Sequence, residues 1–207
     1  MRSLPLVLGV LASGRGSNLQ AILDAIAVGR CPARVAVVVS DRKDAGALDR
    51  ARRAGILAVH LDPHAFPDRV AFDAAVATVL DEHGVALVCL AGYMRVLSPE
   101  FVRRFRARIL NVHPALLPAF PGLHAQRQAL EHGVRVAGAT VHLVDEGVDT
   151  GPILLQGAVP VLDGDTEETL SARILAEEHR LYPEAIRLFA EGRLEVSGRR
   201  VRIRGEA

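Results

Sequence analysis

The chain has no tryptophan, only 4% aromatic residues and two cysteines in 207 residues. A core without aromatic bulk must be filled by Val, Leu, Ile and Ala, and half of the chain is hydrophobic. Cys31 and Cys89 are too few for a disulfide framework, and Cys89 lies inside the apolar run Leu87-Val88-Cys89-Leu90. They read as buried structural thiols. There is no Cys-x-x-Cys pair, which argues against a zinc cage. Net charge is missing too. Lys+Arg of 25 against Asp+Glu of 24 leaves +1 at pH 7, with most of the basic residues Arg. That balance gives no electrostatic footprint for nucleic acid or an anionic membrane. No apolar run has the length of a membrane span, and Met1-Arg2-Ser3-Leu4 does not begin a secretory leader. No internal repeat or low-complexity segment occurs. These absences predict one soluble, reduced, cytoplasmic domain. A single core suffices, since such cores grow to about 250 residues.

What is present is alternation. Leu4 to Ala12 is almost continuously apolar, as a parallel strand covered on both faces should be. Ser13-Gly14-Arg15-Gly16-Ser17-Asn18 breaks it, and Leu19 to Ile26 has helical periodicity. A Gly-rich turn thus feeds a helix N-terminus, where free N–H groups and the helix dipole attract anions. The spacing is neither Gly-x-Gly-x-x-Gly nor a Walker loop with its Lys, so a single phosphate fits better than a dinucleotide or triphosphate. An ordinary turn with a Ser or Asn cap weighs equally at this point.

Strands over 35–39, 57–61 and 85–91 then alternate with helices over 46–54 and 69–82. Ser98 caps a further helix with Pro99 in its first turn. Beyond residue 118 the pattern changes. A short helix covers 126–131, and strands cover 137–144 and 153–161, with a bulge expected at Gly157. A long helix runs from Asp165-Thr166 to about Phe189, with Glu168 placed for a capping box and Tyr182-Pro183 for a kink. A hairpin over 192–203 turns near Ser197-Gly198. The fold class is therefore α/β: a single domain, its N-terminal half a parallel sheet, extended by antiparallel strands and a long helix. Two lobes, 1–113 and 114–207, are expected. Between them the Gly loop, Met94, Asn111 and the acidic loop Asp145-Glu146-Gly147-Val148-Asp149 should converge.

The chemistry centres on Ile109-Leu110-Asn111-Val112-His113-Pro114-Ala115-Leu116-Leu117-Pro118. Side chains alternate along a strand, so Asn111 and His113 share a face. The prolines then end the strand, and in open α/β sheets ligands bind at that carboxyl edge. Alone, the pair is more often a hydrogen-bonding strand end than a catalytic one. Asp149 alone is more often a turn residue.

Taken together, several segments resemble the motifs of phosphoribosylglycinamide formyltransferases, the folate-dependent transferases of purine synthesis. They are Gly14-Arg15-Gly16-Ser17-Asn18, Ala91-Gly92-Tyr93-Met94-Arg95, the Asn111 to Pro118 stretch, Pro121-Gly122-Leu123-His124 and Asp145 to Asp149. The likeness covers nearly the whole chain in order. Glu177-Glu178-His179 before Tyr182-Pro183 also fits this branch. Departures are Ala115 in place of Ser, Tyr93 in place of Phe, and Leu175 where some relatives are polar.

The resemblance implies a Rossmann-like formyltransferase fold and transfer of a formyl group from 10-formyltetrahydrofolate to the amine of 5-phosphoribosylglycinamide, on the way to IMP. No metal is implied. Asn111, whose NH₂ donates at any ordinary pH, would serve the oxyanion. His113 would exchange a proton. Asp149 would favour the cationic imidazole, raising the His113 pKa, or relay protons through water. Gly16, Ser17 and Asn18 would hold the phosphate and Glu178 the ribose hydroxyls. The folate would meet Arg69, Met94, Arg95, Val96, Leu97, Asn111 and Asp145, Glu146, Gly147, Val148 and Asp149. His124 and His142 are less assignable, and His142 is expected to be a satisfied core histidine. Expected partners are the two small molecules, with no nucleic acid or membrane, in a monomer or homodimer. Two enzymes and a binding module compete. A formyltetrahydrofolate hydrolase generally carries an N-terminal regulatory domain, for which a first strand at Leu4 leaves no room. A methionyl-tRNA formyltransferase needs a basic C-terminal domain. A silent folate- or nucleotide-binding module would have no use for an intact Asn111, His113 and Asp149.

Overall fold

The computed structural model describes residues 5–205, so Leu4, the expected strand start, lies outside the described residues. Five strands, β1 (Leu6–Leu11), β2 (Ala33–Ser40), β3 (Leu57–His60), β4 (Leu87–Leu90) and β5 (Ile109–His113), run parallel. Two more, β6 (Val136–Leu143) and β7 (Ile153–Pro160), extend the sheet antiparallel. The order is β3-β2-β1-β4-β5-β6-β7. Because β5 pairs directly with β6, the sheet is unbroken across the expected lobe boundary at 113/114.

Helices cover both faces: α1 (Ser17–Ala27), α2 (Gly46–Arg53), α3 (Arg69–Glu82), α4 (Pro99–Arg104), α5 (Ala125–Glu131) and α6 (Glu167–Ala190). Alternation along each strand splits the core in two. Leu8, Val10 and Ala12 of the β1 segment join Leu110 and Val112 of β5 on the face covered by α1 and α6. Leu11 and Ile109 face the other way, toward Phe72, Val76 and Leu80 of α3 and Phe101 of α4. Each fully buried aliphatic side chain contributes about 1.5–3 kcal/mol. Both cysteines are buried and free.

Side-chain caps set three of the six α-helix starts among the described residues, those of α3, α4 and α6. Asp68 accepts the Ala71 N–H at 2.8 Å and Ser98 that of Phe101 at 3.3 Å. Two expectations are corrected. The capping box of α6 pairs Thr166 with Thr169 rather than using Glu168, because Thr166 is the cap and Glu168 falls one position short. α6 is one helix that contains Pro183. The irregularity between β6 and β7 lies at Val141/His142, not at Gly157. Gly157 instead lets α6 approach: a Cβ there would stand 2.2 Å from Glu177 Oε2. A separate hairpin, β8 (Leu194–Ser197) and β9 (Arg200–Ile203), follows α6.

The strand order reverses between β1 and β4, so a crevice opens at their carboxyl ends. Ser13 bridges it there: its N–H donates to the Gly92 carbonyl at 3.0 Å and its Oγ accepts the Met94 N–H at 2.9 Å. β5 is the next strand along this edge.

Candidate active site

Asn111 and His113 share one face of β5, opposite Leu110 and Val112, which are packed in the core. Asp149 comes to them from the loop after β6. It holds φ 54°, a left-handed conformation that Asp tolerates better than most residues. Its Oδ2 accepts the Gly122 N–H at 2.8 Å and lies 3.4 Å from His113 Nδ1. Its Oδ1 lies 3.4 Å from both Asn111 Nδ2 and His142 Nε2. Residues 36 and 38 positions apart in sequence thus meet around one carboxylate.

The hydrogen bonds fix which atoms can move a proton. His113 Nε2 is 2.8 Å from the Phe120 carbonyl oxygen. A carbonyl only accepts, so Nε2 carries hydrogen and Nδ1, facing Asp149, is the titrating nitrogen. His142 Nδ1 is 2.8 Å from the Leu143 carbonyl, and its Nε2 lies 3.1 Å from Asn111 Nδ2 and 3.4 Å from Asp149 Oδ1. Burial pushes His113 below its ordinary pKa, outweighing the upward pull of Asp149 and the Phe120 carbonyl. Asp149 pulls His113 upward as expected, but desolvation outweighs that pull. Burial also pushes Asp149 up, but the contacts from His142 and the Gly122 N–H, with the imidazole charges, hold it below the ordinary carboxylate range.

Other bonds hold this strand end still. Thr140 Oγ1 donates to the Ala115 carbonyl at 2.6 Å and accepts the Leu117 N–H at 3.0 Å, pinning the segment after His113. The Tyr182 hydroxyl, fully buried, lies 2.9 Å from the carbonyls of Leu90, the last residue of β4, and Leu110, near the start of β5.

A cleft of about 90 Å³ opens beside the cluster. Val96, Leu97, Asn111 and the whole of Asp145 to Asp149 line it, with His142. Arg69, Met94 and Arg95 lie outside that lining. Arg69 is exposed at the start of α3, Met94 is exposed, and Arg95 stacks 4.9 Å over the Phe72 ring.

At the Gly-rich turn the cap of α1 is Gly16, at φ 75°, with no side-chain cap. This removes the Ser or Asn cap as an account of the turn and leaves the amides of the first turn to other partners. Gly16 is required twice over, since a Cβ there would lie 2.6 Å from Ala47 Cα. The Asn18 side chain turns away from the turn. Its Nδ2 donates to Glu178 Oε2 at 2.7 Å, and its buried Oδ1 has no partner. Burial pushes Glu178 above its ordinary value, against the Asn18 bond.

Sequence reasoning undervalued His142. It is 2% exposed, as a core histidine would be, yet it contacts Asn111 and Asp149. The available signal was a strand His whose face is set by pairing opposite Asn111. His124 is exposed at the start of α5 and joins none of these contacts.

The family described as formyl transferase matches residues 7–186. The chain belongs to the formyl transferase family. Among members, the phosphoribosylglycinamide formyltransferase of Mycobacterium tuberculosis is 52% identical over 199 residues, 95% of this chain and 91% of that one. The crystal structure of glycinamide ribonucleotide transformylase 1 from Symbiobacterium toebii superposes with TM-score 0.95 at 68% identity, covering 96% and 94% of the two chains. A formyltetrahydrofolate deformylase from Pseudomonas syringae pv. tomato matches with TM-score 0.90 at 26% identity and 67% coverage of its own chain. The chain spans 14% of the trifunctional purine biosynthetic protein adenosine-3 of Drosophila pseudoobscura pseudoobscura, at 49% identity over 187 residues. Among the described residues no cluster of three metal-ligating side chains occurs, and no helix is long and apolar enough to cross a membrane.

Proposed function

We propose that this formyl transferase moves the formyl group of 10-formyltetrahydrofolate to the amine of 5-phosphoribosylglycinamide, a step of IMP synthesis. The observation that carries this is the meeting of Asn111, His113 and Asp149, with Asn111 and Asp149 in the wall of one cleft and His113 buried behind them. In acyl transfer the amine nitrogen bonds to the formyl carbon, a tetrahedral oxyanion forms, and the bond to the folate nitrogen breaks. The amine loses a proton and the folate nitrogen gains one.

Each residue has a part fitted to its geometry. Asn111 Nδ2 has two hydrogens, and its 3.4 Å approach to Asp149 is long enough to yield to the oxyanion. One such donor is worth about 2.7–4 kcal/mol in the transition state. His113, held through Nε2, presents only Nδ1 to the relay. Asp149, kept ionised, takes the amine proton directly or through water and stabilises the imidazolium. Val96, Leu97 and Asp145 to Asp149 receive the pterin. Met94, Arg95 and Arg69 lie further along the folate, where a guanidinium suits its carboxylates. Gly16 and Ser17 offer backbone N–H groups to the phosphate. Asn18 and Glu178 act as a unit on the ribose, whose hydroxyls supply the donor that Asn18 Oδ1 lacks. In this reading each end draws on both halves of the chain, the nucleotide on Gly16, Ser17 and Asn18 with Glu178 and the folate on Val96 and Leu97 with Asp145 to Asp149. The enzyme works in the cytoplasm as a monomer or homodimer on these two small molecules.

Hydrolysis of the same donor is the second reading, favoured by the deformylase likeness at 26% identity. The relatives at 52% and 68% favour transfer. An assay with and without the ribonucleotide decides between them. Transfer predicts turnover only with the acceptor present, and formate release without it supports hydrolysis.

A further inference from the structure

The family match stops at residue 186, so the hairpin formed by β8 and β9 lies beyond it. Its turn nevertheless reaches the loop that carries Asp149. Arg199 donates from Nη1 to the carbonyl oxygen of Thr150, 2.7 Å away, across 49 positions of sequence. Thr150 is the residue after Asp149. We propose that Arg199 is a positioning residue for Asp149, and that the terminal hairpin is the arm holding the acidic loop against β5. This rests on the catalytic role given to Asp149 above.

The Gly122 N–H holds the Asp149 carboxylate itself at 2.8 Å, and the hairpin adds a tie to the next residue of the loop. Internally it is closed on Asp145, whose Oδ1 accepts the Gly147 N–H at 3.1 Å and the Thr150 hydroxyl at 2.6 Å. At its base, the Leu143 N–H donates to the Pro152 carbonyl at 2.9 Å. These bonds shape the loop without fixing its distance from the hairpin side. On the opposite side Arg103 approaches Glu146 at 3.6 Å, but both are exposed and Arg103 already pairs with Glu100 at 2.8 Å. Exposed pairs of that kind restrain little. Arg199 is exposed as well, but its charge-assisted bond is the shorter contact, 2.7 Å against 3.6 Å. Asp149 sits in the left-handed region, so its conformation persists only where neighbours impose it. Its three 3.4 Å contacts leave little room for drift.

The arm is itself anchored. Leu194 and Val201 pack against the main core. The Arg204 N–H donates to the Arg193 carbonyl at 2.9 Å, and Arg193 Nε to the Arg204 carbonyl at 2.7 Å, closing the base of the hairpin. Arg199 therefore reaches out from a fixed platform, and removing its side chain leaves that platform intact.

The test compares Arg199→Ala, Arg199→Lys and a control, Arg202→Ala, an exposed arginine of the same hairpin. Loss of one hydrogen bond predicts a fall in kcat of about three- to tenfold for Arg199→Ala. The acid limb of its kcat–pH profile should shift, the KM of the ribonucleotide should stay within error, and the unfolding midpoint should be unchanged. Lys also donates to a carbonyl, so Arg199→Lys should recover most of the loss, and Arg202→Ala should match wild type. An Arg199→Ala enzyme with wild-type kcat and pH profile overturns the proposal, as does equal impairment of both alanine variants. Amide exchange across residues 145–152 reads the tether without turnover. It should be faster in Arg199→Ala, and equal exchange also overturns the proposal. Wild-type protein with no acceptor-dependent turnover is a failure of the proposed function, and exchange alone then decides the tether.

Discussion

Asp149 and Glu178 are both largely buried carboxyls, and their surroundings push them in opposite directions. Desolvation raises both. Asp149 ends below the ordinary carboxylate value because a backbone N–H and two imidazoles face it. Glu178 ends above it because one neutral amide is all that opposes burial. The first arrangement holds a charge in place before any substrate arrives, as preorganised electrostatic catalysis requires. The second leaves a carboxyl and an unpartnered amide oxygen waiting for donors. One site is built for proton traffic and the other for recognition.

The largest effect should come from removing the charge at the first site. Asp149→Asn keeps the shape and the Gly122 contact but ends the attraction to His113. The expected loss in kcat is 10²-fold or more, the range of acid–base groups, with little change in either KM. His113→Ala should lose as much, and the double variant should lose scarcely more than either alone, because groups acting as a unit are not additive. Steady-state kinetics of the three variants check this. A double variant whose losses multiply would separate the two residues and break the contrast.

At the second site the expected loss is in binding. Glu178→Gln keeps an oxygen that can accept the Asn18 N–H but offers the ribose a neutral amide. The ribonucleotide KM should rise about tenfold, the cost of weakening one hydrogen bond to a charged group, while kcat changes much less. A fall in kcat at unchanged KM would place Glu178 with the proton chemistry instead and erase the distinction. Substrate-dependence curves for each substrate in turn give the answer.

Much of this contrast was legible in the chain and some was not. The period of two put Asn111 and His113 on one face, and Ser98-Pro99 and Arg69 marked helix starts, because those are rules of adjacent residues. The Asn18–Glu178 bond spans 160 positions and depends on how α6 lies against α1. His142 enters the cluster only through the β5–β6 register. The direction of the His113 shift also escaped, since a neighbouring charge can be inferred from motifs but the depth of burial cannot. Gly16 was legible as a turn glycine. That its missing Cβ makes room for Ala47 of α2 was not.

The smallest effect, and the one that most directly separates the two environments, is the pH dependence of stability. His113 has a folded pKa below its unfolded value, so the unfolded chain binds more protons and stability falls as pH drops below about 6.5. Glu178 has a folded pKa above its unfolded value. The folded chain then binds more protons, so stability falls as pH rises from about 4.5 toward the folded value. Asp149, held low, adds stability that is lost only as pH falls below about 4. The first two slopes oppose each other in mildly acidic solution, each at most about 1.4 kcal/mol per pH unit for one proton. Denaturant unfolding at successive pH values should therefore give a steeper rise toward neutrality for Glu178→Gln than for wild type. A neutral replacement at the other site, His113→Gln, should give a flatter or falling line. Lines that move together in both variants would mean that burial does not push His113 down and Glu178 up as the two environments require.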